Sequence, residues 1–197
     1  VHGKMGISFR GLKFKDTLSI NGHDHYPMQS TYKFPLAIAI LAKADRKELS
    51  PDRKYPIKAG SLDTATWSPM ARNMGGRDTA LTLAQLLLYS VSKSDNNACD
   101  ILFGIAGGTG YVNTYIRKAG VRGMSISATE AEMKVAEKVQ FTNWCEPAAM
   151  TQLLTLLYTG ALLKKPTNDL LMKLMTESEN SEKRIKGRLP PEAIVAH

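Results

Sequence analysis

Cysteine is scarce in this chain: two residues, Cys99 and Cys145, among 197. Their spacing fits no CxxC or zinc pattern, which sets aside a structural zinc site and a dithiol redox motif. A disulfide between them and two buried free thiols both remain open. No apolar run approaches the roughly 20 residues a helix needs to cross a bilayer. There is no low-complexity tract and no fixed-period repeat, which argues against a disordered chain and against a solenoid. The first residue is not Met and no signal peptide is visible. Lys4-Met5-Gly6-Ile7-Ser8-Phe9 already reads as a strand, so the chain is expected to begin inside a fold.

Acidic residues are in deficit. There are 26 Lys+Arg against 18 Asp+Glu, a net charge of +8. The basic residues are scattered, and no basic run carries interleaved aromatics. That pattern reads as a solvated surface rather than a nucleic-acid groove. A hydrophobic share of 43% and a charged share of 22% are ordinary for a globular chain. The length suits one domain, or two small subdomains, with a real core.

Two short strands are expected at 4–10 and 17–20, joined by a turn from Gly11 to Asp16. Asn21 to His25 is a turn-rich loop; its His23-Asp24-His25 has no third ligand cluster nearby and reads as polar rather than metal-binding. A helix follows over 31–49. Leu36 to Ala42 is apolar on every side, the mark of a buried central helix, and Pro35 falls in or near the first turn, where proline is tolerated. Residues 50–79, with Pro51, Pro56 and Pro69, read as a long irregular connection. Thr82 caps a helix running to about Ser92. Further helices are expected at 97–104, 109–119, 147–158 and 168–175, with 121–143 mostly loop and 193–196 strand-like. Strands, then many helices, then an incipient strand give an α+β fold.

Three groups of residues suggest chemistry. Ser30-Thr31-Tyr32-Lys33 opens the buried helix. It puts a hydroxyl near the positive end of the helix dipole, with an amine one turn on along the same face. A buried lysine there is able to draw the serine proton. Alone this is weak, since about one Ser-x-x-Lys is expected by chance, and Ser90-Val91-Ser92-Lys93 matches too. Ser94-Asp95-Asn96 follows a helix and would by itself be an ordinary N-cap. Thr129-Glu130-Ala131-Glu132-Met133 offers either two solvated glutamates or one turned inward to activate a water. The first two motifs in this order are those of penicillin-recognising serine enzymes.

With these residues the chain resembles class A serine β-lactamases, and within them the cephalosporinase branch. The resemblance covers nearly the whole chain. It includes Phe34-Pro35, Trp67-Ser68-Pro69, Ser94 to Asp100, Ala106-Gly107-Gly108 and Thr129 to Met133. It implies a helical subdomain inserted between strands of an antiparallel sheet. Residues 1–29 would be the N-terminal strands, 30–188 the helical subdomain with the active site, and 189–197 the start of the C-terminal strand region. It implies Ser30 as nucleophile, Lys33 as proton acceptor or relay, Ser94 as donor to the departing lactam nitrogen, and Glu130 as base for the deacylating water. Asn96 would hold the substrate side chain and Trp67 would stand at the cleft rim. No cofactor or metal is implied. The expected partner is a small β-lactam, with no nucleic acid and no membrane. The intact protein is expected to be a monomer, periplasmic or secreted.

Three departures from the family pattern stand out. Lys134 occupies a position where an asparagine often helps hold the water. Ala128 stands where an arginine often closes the loop through an ion pair. No Lys-Thr-Gly or Lys-Ser-Gly occurs anywhere in the 197 residues. The expectation is therefore a fragment of the family domain, truncated at both ends. It is expected to be weakly active or inactive and, with an unpaired sheet edge, aggregation-prone. The rivals are a penicillin-binding or sensor domain that is acylated without turnover, and a noncatalytic basic binding module.

Overall fold

A computed structural model describes residues 3–178 and 185–197; part of the expected 30–188 segment, residues 179–184, lies outside the described residues. Strand β1 (Ile7–Arg10) starts three residues later than expected and pairs antiparallel with β2 (Thr17–Ile20). Ile7 stands opposite Ile20 and Phe9 opposite Leu18, so the apolar side chains share one face. Phe9, Phe14, Leu18 and Ile20 are all exposed. After β3 (Tyr26–Pro27), a 3-10 turn over Gln29–Tyr32 leads into α1 (Lys33–Asp45).

α1 is the centre of the molecule. Every residue from Leu36 to Ala42 is at most 4% exposed. Each buried Leu or Ile there contributes about 1.5–3 kcal/mol of transfer free energy. The helix stops at Asp45 rather than at 49. Lys47 enters the left-handed region (φ 63°) and the Glu48 N–H turns back to Lys43 O.

The segment 50–79 is not the irregular connection expected. It holds β4 (Lys54–Ile57), α2 (Pro69–Met74) and the start of β5 (Thr79–Thr82). β4 and β5 form a two-stranded sheet with Pro56 opposite Ala80. Such a sheet has only edges, which is where a strand tolerates proline. Ser68 caps α2 by accepting from the Ala71 N–H at 3.1 Å. Thr82 and Gln85 form a capping box at α3 (Leu83–Leu87), which widens into a π-helical turn over Leu88–Ser92.

α4 (Asn96–Ala106) and α5 (Thr109–Lys118) follow, ended by Gly107 and Gly120, both at positive φ. They pack against α1 together with α8 (Lys165–Thr176). The stretch 121–143, expected as mostly loop, contains β6 (Met124–Ser125), α6 (Glu130–Val135) and a 3-10 turn over Glu137–Thr142. A capping box between Thr129 and Glu132 starts α6, a local signal strong enough to override the polar composition. β7 (Trp144–Cys145) pairs with both β3 and β6. α7 (Pro147–Tyr158) packs on β1, and Thr151 Oγ1 donates to Ser8 O at 3.1 Å. α8 begins three residues before the expected start, with Pro166 in its first turn. The strand expected at 193–196 is not formed. Ala193 N–H closes a turn on Pro190 O, and His197 N–H donates to Met175 O at the end of α8. The result is an α+β fold, with helices around α1 and, among the described residues, three small antiparallel sheets.

Candidate active site

The buried helix begins where the chemistry is. Lys33, the first residue of α1, is only 3% exposed. Its Nζ donates to Ser94 O at 2.9 Å and Asn96 Oδ1 at 2.6 Å, and lies 3.3 Å from both Ser30 Oγ and Ser94 Oγ. It also lies 3.0 Å from Glu130 Oε1. Ser30, Lys33, Ser94, Asn96 and Glu130, spread over 100 positions of sequence, thus meet around one amine. Of these, Ser30, Lys33 and Ser94 line a cavity of about 330 Å³, together with Val91, Met150 and Ile185. That volume suits a small ligand.

The two hydroxyls are held on tight turns. Gln29, just before Ser30, has φ 47° and Ser94 has φ 54°. A non-glycine residue in this region costs on the order of 1–3 kcal/mol, which the surrounding contacts must hold in place. Around Ser94 the Asp95 N–H donates to Tyr89 O at 2.9 Å and the Asn96 N–H to Trp67 O at 3.0 Å. Asp95, fully buried, accepts from the Ala98 N–H, the Met70 N–H and the Ser68 hydroxyl. One carboxylate therefore joins α4, α2 and the turn that carries Ser94. Gln29 is tied through its side-chain amide to Gln140 at 2.8 Å.

Asn96 uses its amide within the protein: Oδ1 accepts from Lys33 and Nδ2 donates to Thr66 Oγ1 at 2.8 Å. Trp67 is 53% exposed. Its Nε1–H donates to Lys93 O at 3.0 Å, and the Arg72 guanidinium lies 4.3 Å from the ring centre.

Glu130 comes to Lys33 because the backbone around it is pinned. Asp100 on α4 accepts from the Glu130 N–H at 2.8 Å and the Ala131 N–H at 2.9 Å, capping α6 across space. Burial, the largest influence, raises the Asp100 carboxyl above its usual value, against the lowering by these two N–H donors. With Ala128 in the chain, no ion pair closes the neck of the loop at that position. Asn143 does this work instead. Its Oδ1 accepts from the Ser127 N–H at 2.7 Å and the Ala128 N–H at 2.9 Å, and its Nδ2 donates to Ala128 O at 2.8 Å. Its own carbonyl accepts from the Met28 N–H, two residues before Ser30. Lys134 is turned to Asp63, whose carboxyl this hydrogen bond holds below its usual value.

Asp100 and Asn143 were not singled out from the sequence, because both act through long-range bonds to backbone groups and leave no local pattern. Cys99 and Cys145 are both free and buried. Burial pushes the Cys145 thiol up to about 11. His23 pairs with Glu146 at 2.8 Å and His25 stacks on Trp144. Among the described residues no group of three or more His, Cys, Asp or Glu is placed to hold a metal ion.

The profile of the beta-lactamase enzyme family matches residues 1–197. The chain belongs to that family. Among curated relatives it is 39% identical to beta-lactamase VEB-1 of Pseudomonas aeruginosa, over 100% of this chain and 66% of that protein. It is 32% identical to the extended-spectrum beta-lactamase PER-1 of Pseudomonas aeruginosa, over 98% of this chain and 63% of that protein. The chain thus spans a little under two thirds of these relatives. Among solved structures, a beta-lactamase from Chitinophaga pinensis DSM 2588 superposes with a TM-score of 0.94 at 46% identity, covering 97% of this chain and 70% of that one. A class A beta-lactamase from Bacteroides cellulosilyticus DSM 14838 superposes at 0.90 with 30% identity, covering 97% and 68%. The class A resemblance seen in the motifs holds across the fold.

Proposed function

We propose that this family member opens β-lactam rings by serine acylation and releases the product by glutamate-assisted hydrolysis. The observation that carries the reading is the single amine of Lys33 in reach of Ser30 Oγ, Ser94 Oγ and Glu130. Ser30 Oγ attacks the lactam carbonyl. Its proton passes through Lys33 to Ser94, which protonates the departing lactam nitrogen, or is taken by Glu130 through a water. The first route follows the contacts of Lys33 with the two hydroxyls. The ester formed at Ser30 is then cleaved by a water whose proton Glu130 accepts. A positioned general base of this kind contributes typically 10²–10⁴-fold. Asn96 exchanges its contact with Lys33 or Thr66 for one to the substrate's acylamino group, and Trp67 borders the approach. No step calls for a cofactor. The reading includes a cephalosporin-directed, monomeric, periplasmic or secreted enzyme.

The 197 residues contain no Lys-Thr-Gly or Lys-Ser-Gly. The carboxylate-binding lysine and the second oxyanion donor that accompany that motif are therefore not supplied by it, and turnover by this chain is expected to be slow. The test accordingly follows the adduct rather than turnover alone. Intact-mass spectrometry after incubation with a penicillin should show a transient adduct on Ser30 in the wild type, a persistent one in Glu130→Gln, and none in Ser30→Ala. A persistent adduct already in the wild type would favour a receptor that is acylated without release. Absence of any adduct, with salt-sensitive nucleic-acid binding, would favour a basic binding module.

A further inference from the structure

Asn143 closes the neck of the loop that carries Glu130, and one bond of its side chain leads elsewhere. The residue has no exposed surface. A carboxamide accepts through its oxygen and donates two protons through its nitrogen. Here Oδ1 accepts from the Ser127 and Ala128 N–H groups, and one Nδ2 proton goes to Ala128 O. The other goes to Met133 Sδ at 3.4 Å. The amide is therefore filled on every side. Its orientation is fixed too, since turned over it would set its own NH₂ against the two N–H donors. A thioether is a weak acceptor. It matters at this point because the proton it takes belongs to a fully buried amide, which has no water to turn to.

Met133 is partly buried against the core and stands three residues after Glu130 on α6, so the two side chains share one face of the helix. The Met133 N–H closes the first turn on Thr129 O at 3.0 Å. Asp100 holds only the N-terminal end of this six-residue helix. A short helix held at one end is free to tilt and to turn about its axis, and either movement swings a side chain at its head. The exposed pair Lys134–Asp63 resists this little. A second attachment on the inner face, one turn on, removes the freedom that the end cap leaves.

We propose that Met133 is a positioning residue for Glu130: its sulfur takes the remaining Asn143 side-chain N–H, which pins the inner face of α6 to the neck of the loop and holds Glu130 toward Lys33. The inference rests on the reading of Glu130 as the water-activating group. Met133 does not line the cavity beside Ser30 and acts through Asn143 and the helix backbone. Acylation of Ser30 uses none of these contacts, so the effect falls on release of the adduct.

Met133→Leu keeps the apolar bulk, a swap that cores tolerate well, and removes the acceptor. Met133→Gln restores an acceptor as a carbonyl oxygen, with its NH₂ able to reach water at this partly exposed position. Three measurements on the full chain test the proposal. The first is the pair of Asn143 side-chain N–H resonances, assigned by their loss in Asn143→Ala. In Met133→Leu one of the two should move upfield and exchange faster with solvent, while the one on Ala128 O stays; Met133→Gln should bring the first back. The second is the Glu130 carboxyl ¹³C resonance at neutral pH, assigned by its loss in Glu130→Gln, which should move in Met133→Leu as the contact with Lys33 changes. The third is timed intact-mass measurement of the Ser30 adduct. In Met133→Leu formation should stay within about twofold of wild type and release should slow about fivefold, the scale of one modest hydrogen bond, with most of the loss recovered in Met133→Gln. Unmoved Asn143 resonances overturn the bond. Moved Asn143 resonances with an unmoved Glu130 carboxyl, or with formation and release falling together, overturn the positioning role. Failure of the wild type to form any Ser30 adduct contradicts the functional reading instead, while the two sets of resonances still decide whether Met133 positions Glu130.

Discussion

The two halves of the site are held by different physics. Ser30 and Lys33 stand at the mouth of a helix buried on every side, and Ser94 on a turn fixed by the fully buried Asp95. Glu130 stands at the head of a six-residue helix with no buried residue of its own. It reaches Lys33 because Asn143 closes the neck of its loop and Asp100 caps its first turn. In the proposed acylating half Ser30 and Lys33 are thus positioned mainly by packing and Ser94 by the buried Asp95 clasp, whereas the proposed hydrolytic half depends on side-chain bonds to backbone. Packing spreads its cost over many contacts. A polar clasp concentrates it in one or two residues, so the hydrolytic half should be lost by single substitutions that leave the acylating half at work.

The largest effect is expected inside the acylating half. Lys33→Ala should slow adduct formation on Ser30 by about 10²–10⁴-fold, the usual contribution of a positioned proton carrier, read by timed intact-mass measurement. The same variant leaves the Glu130 carboxylate without its cation, and breaking a mostly buried pair of this kind costs about 3–5 kcal/mol. Its thermal midpoint should therefore fall as well.

Asp100→Asn sharpens the contrast from the other side. The amide keeps one acceptor for the two N–H groups of Glu130 and Ala131 and turns an NH₂ toward the other. The variant should be destabilised by about 1–3 kcal/mol at neutral pH, measured by urea unfolding. The pH dependence has a defined sign. Burial raises the Asp100 carboxyl in the folded state. Between its ordinary value and that raised value the folded chain binds the extra proton, so stability falls as pH rises. The stability of the wild type relative to Asp100→Asn should accordingly increase as pH is lowered from neutral toward about 4. The opposite slope would mean that the two N–H donors outweigh burial.

The smallest effect belongs to the exposed pair Lys134–Asp63, which ties α6 to the segment before Trp67. The hydrogen bond from Lys134 depresses the Asp63 carboxyl, so any stabilisation is present above the ordinary carboxylate pKa of about 3.9 and disappears as pH falls through the depressed value. Lys134→Met should change the melting temperature little at neutral pH, and not at all in high salt.

The same contrast explains what was legible in the sequence. Ser30, Lys33, Ser94 and Glu130 could be named because their motifs are local, and the helices at 83, 96, 109 and 147 because their caps and glycines are local too. Asn143 could not. It lies in a polar stretch, and its side-chain bonds to Ser127 and Ala128 join neighbours made only by folding. β4 and β5 were hidden by Pro56, which a two-stranded sheet accepts without a lost ladder bond inside it. The strand expected at 193–196 followed apolar composition alone, and the chain there instead bonds to the end of α8. α6 was overlooked although the Thr129–Glu132 capping box is a readable signal, because no apolar periodicity accompanies it.

The division of labour is tested most directly by Asn143→Ala, with acylation and release of Ser30 followed separately by quenched intact-mass spectrometry. The buried Ala128 N–H loses its acceptor, a cost of about 1–3 kcal/mol, and the Ser127 N–H loses its own as well, both on the loop that carries Glu130. The account predicts adduct formation within about threefold of wild type and release slowed at least about tenfold, the latter being some 1.4 kcal/mol of barrier. If formation and release fell together, or if release were unchanged, the clasp would not be what positions the hydrolytic half.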